Sequence, residues 1–468
     1  MKKRISNRPT NSSTVQVKLN QRVTITIKRL GINGEGVGYY RRKLIFIPGA
    51  LPHELVQAQI TEINPTYLRA SIIQIDKKSA FRVSPRDAYA GKVGGFELEA
   101  LAYPQQLEFK RDLVKQALRR YHPRGFEKYE VRPTIGMTNP YEYRNKAQFQ
   151  VRTTATGHVI AGLYKAGTHE VVDLPTCSVQ DPMTMQVMRK VVALIEDLQI
   201  PTFEPKNHSG IIKTIVVRAA QFTNDVQLVL ITNTPKLVKK QPLLERISAE
   251  IPEVTSVMQN INPGDSPLIW GDETRHLAGS NTITEKINGL SFNISARAFL
   301  QLNSHMTPKL YQLASEALEL HQEDRLVDAY AGVGTIGIYL ADQVKEVRGM
   351  ETITEAVADA NQNAEKNQRQ NAHYYVGKAE ELLFDWSAEG WTPTALVVDP
   401  PRAGLENRLL QTILKLKPAK FVYISCNQST LAQNLVELSK VYRVDYLQPV
   451  DMMPQTPHVE IVVKFTRK

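Results

Sequence analysis

The sequence predicts an α/β protein in three folded parts: an OB-like β-barrel, an α+β central domain, and a C-terminal doubly wound, Rossmann-like sheet. Three observations carry this. The length of 468 residues suggests about three domains, since one core rarely grows past roughly 250 residues. The front of the chain holds short alternating β-branched runs broken by Gly and Pro. The last third alternates apolar strand-like runs with segments of helical spacing, the pattern of a parallel sheet covered on both faces.

Residues 1–16 are polar and basic with almost no apolar residues, and are expected to form a disordered tail. Residues 17–75 contain "VTITIKRLGINGEGVGYYRRKLIFIPGALPHELVQAQITEI". Several short strands in so few residues suggest a small barrel of the type that binds nucleic acid across one face. Tyr39, Tyr40, Arg41, Arg42 and Lys43 suit base stacking with phosphate contact; a hairpin with ordinary surface charge explains them equally well.

Residues 76–297 read as α+β. "LEFKRDLVKQALRRY" and "DPMTMQVMRKVVALIEDLQI" have helical spacing, whereas "KAQFQVRTTATGHVIAGLYKAGTHEVVDL" and "GIIKTIVVRAAQFTNDVQLVLITN" alternate like antiparallel strands. In residues 298–468, "RLVDAYAG", "KEVRGMET", "HYYVG", "TALVVDPP" and "KFVYISCN" read as parallel strands with helices between them, and "RVDYLQPVDM" and "HVEIVVKFTRK" close the chain.

Composition narrows the function classes. Hydrophobic content of 42% and charged content of 22% fit a globular protein. Two cysteines exclude a disulfide framework, and no Cys/His cluster offers a zinc site. No apolar run approaches the roughly 18 residues of a membrane span. No apolar segment follows the basic start, so a cytoplasmic, membrane-free protein is expected, by default a monomer. The net charge is +11, and residues 1–43 carry eleven Lys and Arg against Glu35 alone. Such a basic end favours a polyanionic partner, nucleic acid before others.

In doubly wound sheets ligands bind beyond the carboxyl ends of the strands. Five strand ends carry chemistry. "DAYAGVGTIG" places Gly332, Gly334 and Gly337 as G-x-G-x-x-G after the first strand, where glycines let backbone approach a ligand. Glu351 ends the second strand and can accept hydrogen bonds from ribose hydroxyls. That pattern fits NAD and S-adenosyl-L-methionine about equally. Asp399 in "VVDPPRAG" ends the fourth strand, Cys426 in "ISCNQS" the fifth, and Glu460 in "TPHVEIVV" opens the last. Taken singly, Cys426 reads as packing, Asp399 as a helix cap and Glu460 as an edge residue; together at successive strand ends they suit one reaction. A thiolate adding to C6 of uracil makes C5 nucleophilic, C5 takes a methyl group from a sulfonium donor, and a base removes the C5 proton. A polar strand end with a neighbouring proton acceptor is expected to activate the thiol.

"FLQLN", "DAYAGVG", "DPPRAG", "ISCN" and "TPHVE" occur in the order found in RNA 5-methyluridine methyltransferases, which the chain resembles over nearly all of residues 17–468. The front region resembles a TRAM domain, an RNA-binding barrel. The resemblance implies an S-adenosyl-L-methionine methyltransferase domain over 298–468, with Cys426 as nucleophile, Glu460 as base and Asp399 as the acid holding the flipped uracil. It implies Gln301 lining the donor and base pocket, and Tyr330, Gly332, Glu351 and Asp399 at the donor. It also implies that a helix near 98–129 packs on the catalytic domain. Family members with the barrel act on 23S ribosomal RNA, whereas the transfer-RNA branch typically lacks it. Iron–sulfur relatives carry C-x5-C-x2-C where this chain has Asp87, Val93 and Phe96; with Cys177 alone left, no cluster is expected. Cluster-free relatives from Gram-positive bacteria modify two uridines, which leaves dual specificity open. A cytosine-C5 enzyme would place a second Cys after proline in the "DPPR" motif, and an NAD-dependent oxidoreductase leaves Cys426 and Glu460 unexplained.

Overall fold

A computed structural model describes residues 17–468; the expected tail, 1–16, lies outside the described residues. The chain divides into two compact units, one ending at Val83 and one running from Ser84 to Lys468.

The first unit is a six-stranded sheet of β1 (Arg22–Thr26), β2 (Arg29–Leu30), β3 (Gly36–Tyr40), β4 (Lys43–Ile47), β5 (Leu55–Ile63) and β6 (Tyr67–Lys77), in the order β1-β5-β6-β4-β3-β2. Alternation drives it: Val23, Ile25, Ile45, Ile47, Val56, Ala58 and Ile60 point into one core, and intervening polar residues face out. The glycines of "GVG" serve close packing. A Cβ on Gly38 would lie 2.5 Å from Ile25 Cγ2, so β3 approaches β1 only without one. The unit extends past the expected end at 75. Buried Glu54 accepts from Ser79 N at 3.2 Å and from Arg82 Nε at 2.6 Å, which ties the following segment back onto the sheet.

In the second unit, α1 (Tyr103–Tyr121) begins with Pro104 in its first turn and ends at left-handed His122, followed by Pro123. β7 (Glu130–Val131) follows. Then come β8 (Lys146–Thr153), β9 (Val159–Tyr164), β10 (Val171–Asp173), α2 (Pro182–Asp197), β11 (Ile212–Ala219), β12 (Val226–Thr232), α3 (Lys240–Glu250), β13 (Val254–Ile261) and β14 (Glu273–Gly279). Seven of these strands form a sheet, β10-β9-β8-β11-β12-β13-β14, with α2 and α3 on its apolar face.

A hairpin of β15 (Ile283–Ile287) and β16 (Leu290–Ile294) leads to α4 (Thr307–Leu318), β17 (Arg325–Ala329), α5 (Thr335–Leu340), β18 (Glu346–Glu351), α6 (Thr354–Lys366), β19 (Ala372–Val376), α7 (Ala379–Ala388), β20 (Ala395–Val398), α8 (Asn407–Leu416), β21 (Lys420–Ser425), α9 (Gln428–Val441), β22 (Tyr442–Val450) and β23 (Glu460–Arg467). The C-terminal sheet runs β19-β18-β17-β20-β21-β23-β22-β7. Its first five strands are parallel, and β23 inserts antiparallel between β21 and β22. The order reverses at β17, between β18 and β20, which opens the crevice at their carboxyl ends.

A second boundary also differs from the sequence reading. Ile283, Ile287, Phe292 and Ile294 of the hairpin pack into the catalytic core, so this layer begins before 298. The helix expected near 98–129 is α1, which packs on α9 and β22, and β7 pairs with β22, so the segment before the central sheet is built into the C-terminal layer. Among the described residues, no helix is long and apolar enough to cross a membrane.

Candidate active site

At the mouth of the crevice the glycine turn follows β17. Tyr330, at φ 67°, and Gly332, at φ 56°, turn the chain sharply, and Gly332 N donates to Glu351 Oε2 at 3.1 Å. The three glycines differ in what they do. A Cβ on Gly334 would meet the Tyr374 ring at 2.8 Å, and one on Gly337 would meet Tyr374 Oη at 2.6 Å and Asp328 Oδ2 at 2.9 Å. Those two serve packing of the turn against β19 and β17. Gly332 alone of the three has no close neighbour at that position, the nearest being Phe299 O at 3.6 Å, and it is the one that leaves room for a ligand. A cavity of about 430 Å³ is lined by Tyr330 and Glu351 together with Gly377, Glu380, Pro401 and Glu406 among others.

The expected nucleophile, base and acid stand at neighbouring strand ends. Ser425 pairs with Ile461 across β21 and β23. The next residue out on β21, Cys426, and the first residue of β23, Glu460, therefore leave the sheet side by side. Asp399 follows the adjacent β20, and Gln301 Nε2 donates to its Oδ2 at 3.2 Å. The loop before Glu460 is clamped by the segment around α1. Buried Lys110 bonds Asp451 and donates to Met453 O at 2.9 Å, Tyr103 Oη donates to Asp451 Oδ2 at 3.0 Å, and Tyr143 Oη donates to Pro454 O at 2.9 Å.

The electrostatics correct one expectation. Burial, then the carboxylates of Glu460 and Asp399, push the Cys426 thiol up to about 12, against a smaller opposing pull from Arg402. The neighbouring acceptors thus disfavour a resting thiolate, because two acids beside a sulfur repel its negative charge. Glu460 and Asp399 are themselves raised. Burial is the main cause for both, and Glu460 is further raised by Asp399. Glu460 is 8% exposed and its Oε2 has no hydrogen-bond partner.

This arrangement strains stability in a pH-dependent way. A carboxyl whose folded-state pKa is raised holds its proton more tightly folded than unfolded. Stability is therefore lost as pH rises from the unfolded value near 4.5 toward the folded one. Glu460→Gln is expected to melt about 1–2 °C above wild type at pH 8, with the gap closing toward pH 5, as read by scanning calorimetry.

Comparison with known proteins bears on this geometry. Residues 280–468 match a family model described as tRNA (Uracil-5-)-methyltransferase, and residues 16–73 match the TRAM domain. A protein of Lactiplantibacillus plantarum named as an uncharacterized RNA methyltransferase is 60% identical over 98% of this chain and 95% of its own. One of Enterococcus faecalis with the same name is 49% identical over 97% and 99%. The chain belongs to the RNA 5-methyluridine methyltransferase family. Among solved structures, the tRNA (uracil-54, C5)-methyltransferase of Pyrococcus abyssi, in complex with S-adenosyl-L-homocysteine, superposes with a TM-score of 0.75 at 26% identity over 95% of this chain and all of that one.

The family uses S-adenosyl-L-methionine, and the cavity at Tyr330 and Glu351 fits it. Glu351, Glu380 and Glu406 surround the space with carboxylates, against the single cation Lys378. Such a set suits a sulfonium and an amine and repels the diphosphate of a dinucleotide.

For this methyltransferase, sequence reasoning assigned no part to Arg402 or His458, although both stand in quoted motifs, "DPPRAG" and "TPHVE". Arg402 Nη2 donates to His458 Nε2 at 3.1 Å, which requires that nitrogen to be unprotonated. Its guanidinium favours the charged forms of both Cys426 and Glu460. Val93, Phe96 and Cys177 pack in one apolar core, and Asp87 Oδ2 accepts from Ser178 N at 2.7 Å. Among the described residues, no group of three or more His, Cys, Asp and Glu is placed to hold a metal ion.

Proposed function

We propose that the protein methylates C5 of uridine in 23S ribosomal RNA through a covalent adduct between Cys426 and C6. The juxtaposition of Cys426 and Glu460 across β21 and β23 carries this reading, with Asp399 and Gln301 completing the site. Tyr330, Gly332 and Glu351 would hold S-adenosyl-L-methionine, which would supply an electrophilic methyl group.

The residues divide the proton work. Cys426 rests as a thiol, so its proton passes to Asp399 as Sγ bonds to C6, which leaves Glu460 ionised for the later step. The C5–C6 π electrons move toward O4, where Asp399, held by Gln301, donates a hydrogen bond. Methylation leaves C5 carrying one methyl and one hydrogen. Glu460 removes that hydrogen as a proton, the electrons reform the C5–C6 double bond, and Sγ departs. A carboxylate raised toward neutrality by burial is a stronger base for this step than an exposed one.

The Pyrococcus relative, named for a transfer RNA, matches over 95% of this chain. The barrel therefore does not by itself separate ribosomal from transfer RNA. Unmodified 23S and transfer-RNA transcripts, each incubated with tritiated S-adenosyl-L-methionine and digested to nucleosides, decide the point. Labelled 5-methyluridine from 23S RNA is the expected result; label from transfer RNA alone would move the target, and 5-methylcytosine would overturn the reading.

The barrel supports an RNA substrate through strain. Tyr40 pairs with Lys43, and the two-residue tip between them has Arg41 at φ 48° and Arg42 at φ 68°. Such a tip favours Asn-Gly, and left-handed backbone costs other residues about 1–2 kcal/mol each. Tyr39 beside it is 59% exposed. Arg41→Asn combined with Arg42→Gly is expected to stabilise the chain in urea unfolding while weakening RNA binding. The slope of log K against log salt should fall by about 0.7 for each phosphate that the variant no longer neutralises.

A further inference from the structure

The face of β8 opposite the apolar core holds a cation that the proposed cycle does not use. Along β8, Ala147, Phe149 and Val151 enter the apolar core, so Lys146, Gln148, Gln150 and Arg152 line the opposite face. Lys146 lies directly across from Arg218 on β11. Arg144, two residues before it, falls on the same side by alternation. Like charges directly opposite each other in a sheet are destabilising.

These cations are not neutralised by one another's partners. Arg218 is 3% exposed and donates to the carbonyls of Ser295 at 3.5 Å and Ala298 at 2.8 Å. The carboxylate it senses, Asp359, is already held by Ser295 N and Oγ, each at 2.7 Å. Arg144 Nε is buried without a hydrogen-bond partner. Lys146 is half-buried, and among the described residues its ammonium has neither a hydrogen bond nor an ion pair. Burial, then Arg218 and Arg144, push it down to about 7.

The position is next to the chemistry. Asn145, between Arg144 and Lys146, donates through Nδ2 to Gln301 O at 3.0 Å and to Ser304 Oγ at 2.9 Å. Gln301 in turn holds Asp399. Phe299, two residues from Gln301, is 56% exposed. At the other end of the row, about 20 Å away by strand rise, Arg152 Nη2 donates to the exposed Tyr164 at 3.3 Å.

We propose that Lys146, backed by Arg144 and Arg218, is a phosphate seat that receives a backbone phosphate of the RNA strand beside the target nucleotide. Naming that nucleotide a uridine rests on the proposed function; the seat itself requires only an RNA substrate. An unpaired cation pressed against two others is unfavourable in the free protein and is relieved when one anion arrives. Holding the backbone there would offset part of the few kcal/mol needed to extrude a base.

The test uses the full chain and a nonauridylate strand, with binding measured across a range of potassium chloride. Lys146→Met is expected to weaken binding roughly tenfold and to lower the salt slope by about 0.7, one phosphate on a single strand. Lys146→Arg should keep the slope, and Lys240→Met, on the far side of the sheet, should change neither quantity. A folded Lys146→Met protein that binds S-adenosyl-L-homocysteine normally, with wild-type affinity and slope for the strand, would overturn the seat. Wild-type protein gives a second reading that no folding defect can disturb. Acetylation of Lys146 by an N-hydroxysuccinimide ester at pH 7, followed by mass spectrometry, should be blocked by nonauridylate. Equal labelling with and without the strand would also overturn it. Neither readout needs methyl transfer, so failure here is separate from failure of the uridine reading, which the nucleoside assay decides.

Discussion

Cys426→Ala is expected to lower methyl transfer to RNA by about 10⁴-fold or more, with S-adenosyl-L-homocysteine affinity unchanged. The size follows from the chemistry. C5 of uracil gains nucleophilic character only when a sulfur is bonded to C6, so removing the sulfur removes the reaction path and does not merely weaken binding. Single-turnover transfer of tritium from the labelled donor to unmodified 23S transcript measures the loss. The raised thiol sharpens the expectation. Because Cys426 is protonated at rest, alkylation of the free enzyme by iodoacetamide at pH 7 should be slow, and an unusually fast reaction would contradict the electrostatic account. Methylation that survives Cys426→Ala would mean that the cysteine answers to packing and that another nucleophile acts.

Glu460→Gln has the second large effect, and it is qualitatively different. Sγ–C6 bond formation and methylation of C5 do not need the Glu460 carboxylate as base. Removal of the C5 proton does, and without it the electrons that expel sulfur are not released. The variant should therefore accumulate a methylated RNA–protein adduct and release no 5-methyluridine. A denaturing gel with labelled RNA reveals the adduct, and tritium in the shifted band shows that the methyl group has been transferred. Asp399→Asn is expected to fail earlier, with little adduct, because the developing charge at O4 loses its donor. A Glu460→Gln enzyme that turns over normally would require another base.

Much of this was legible along the chain, because strand ends in a doubly wound sheet fall where the alternation of apolar runs stops. Cys426, Asp399 and Glu351 stand at such stops, so their convergence on one crevice follows from sheet order. Other properties were hidden for physical reasons. The motif spacing treats Gly332, Gly334 and Gly337 alike, yet two of them are required by Tyr374, more than thirty residues away in sequence. The barrel unit runs past 75 because buried Glu54 pairs with half-buried Arg82, which leaves no periodic trace. The hairpin at Ile283–Ile294 looks like any antiparallel pair until its apolar face meets α6 and the catalytic core.

By itself the sequence determined the order of elements, the residue types at the strand ends and the basic, aromatic hairpin, since these depend on local periodicity and composition. Tertiary structure alone decided protonation and pairing. Burial and the two carboxylates beside Cys426 keep it a thiol, and the pairing of β8 with β11 sets Lys146 against Arg218 without a counter-charge. Charge interactions depend on distances and desolvation between residues far apart in the chain, and no local pattern records those quantities.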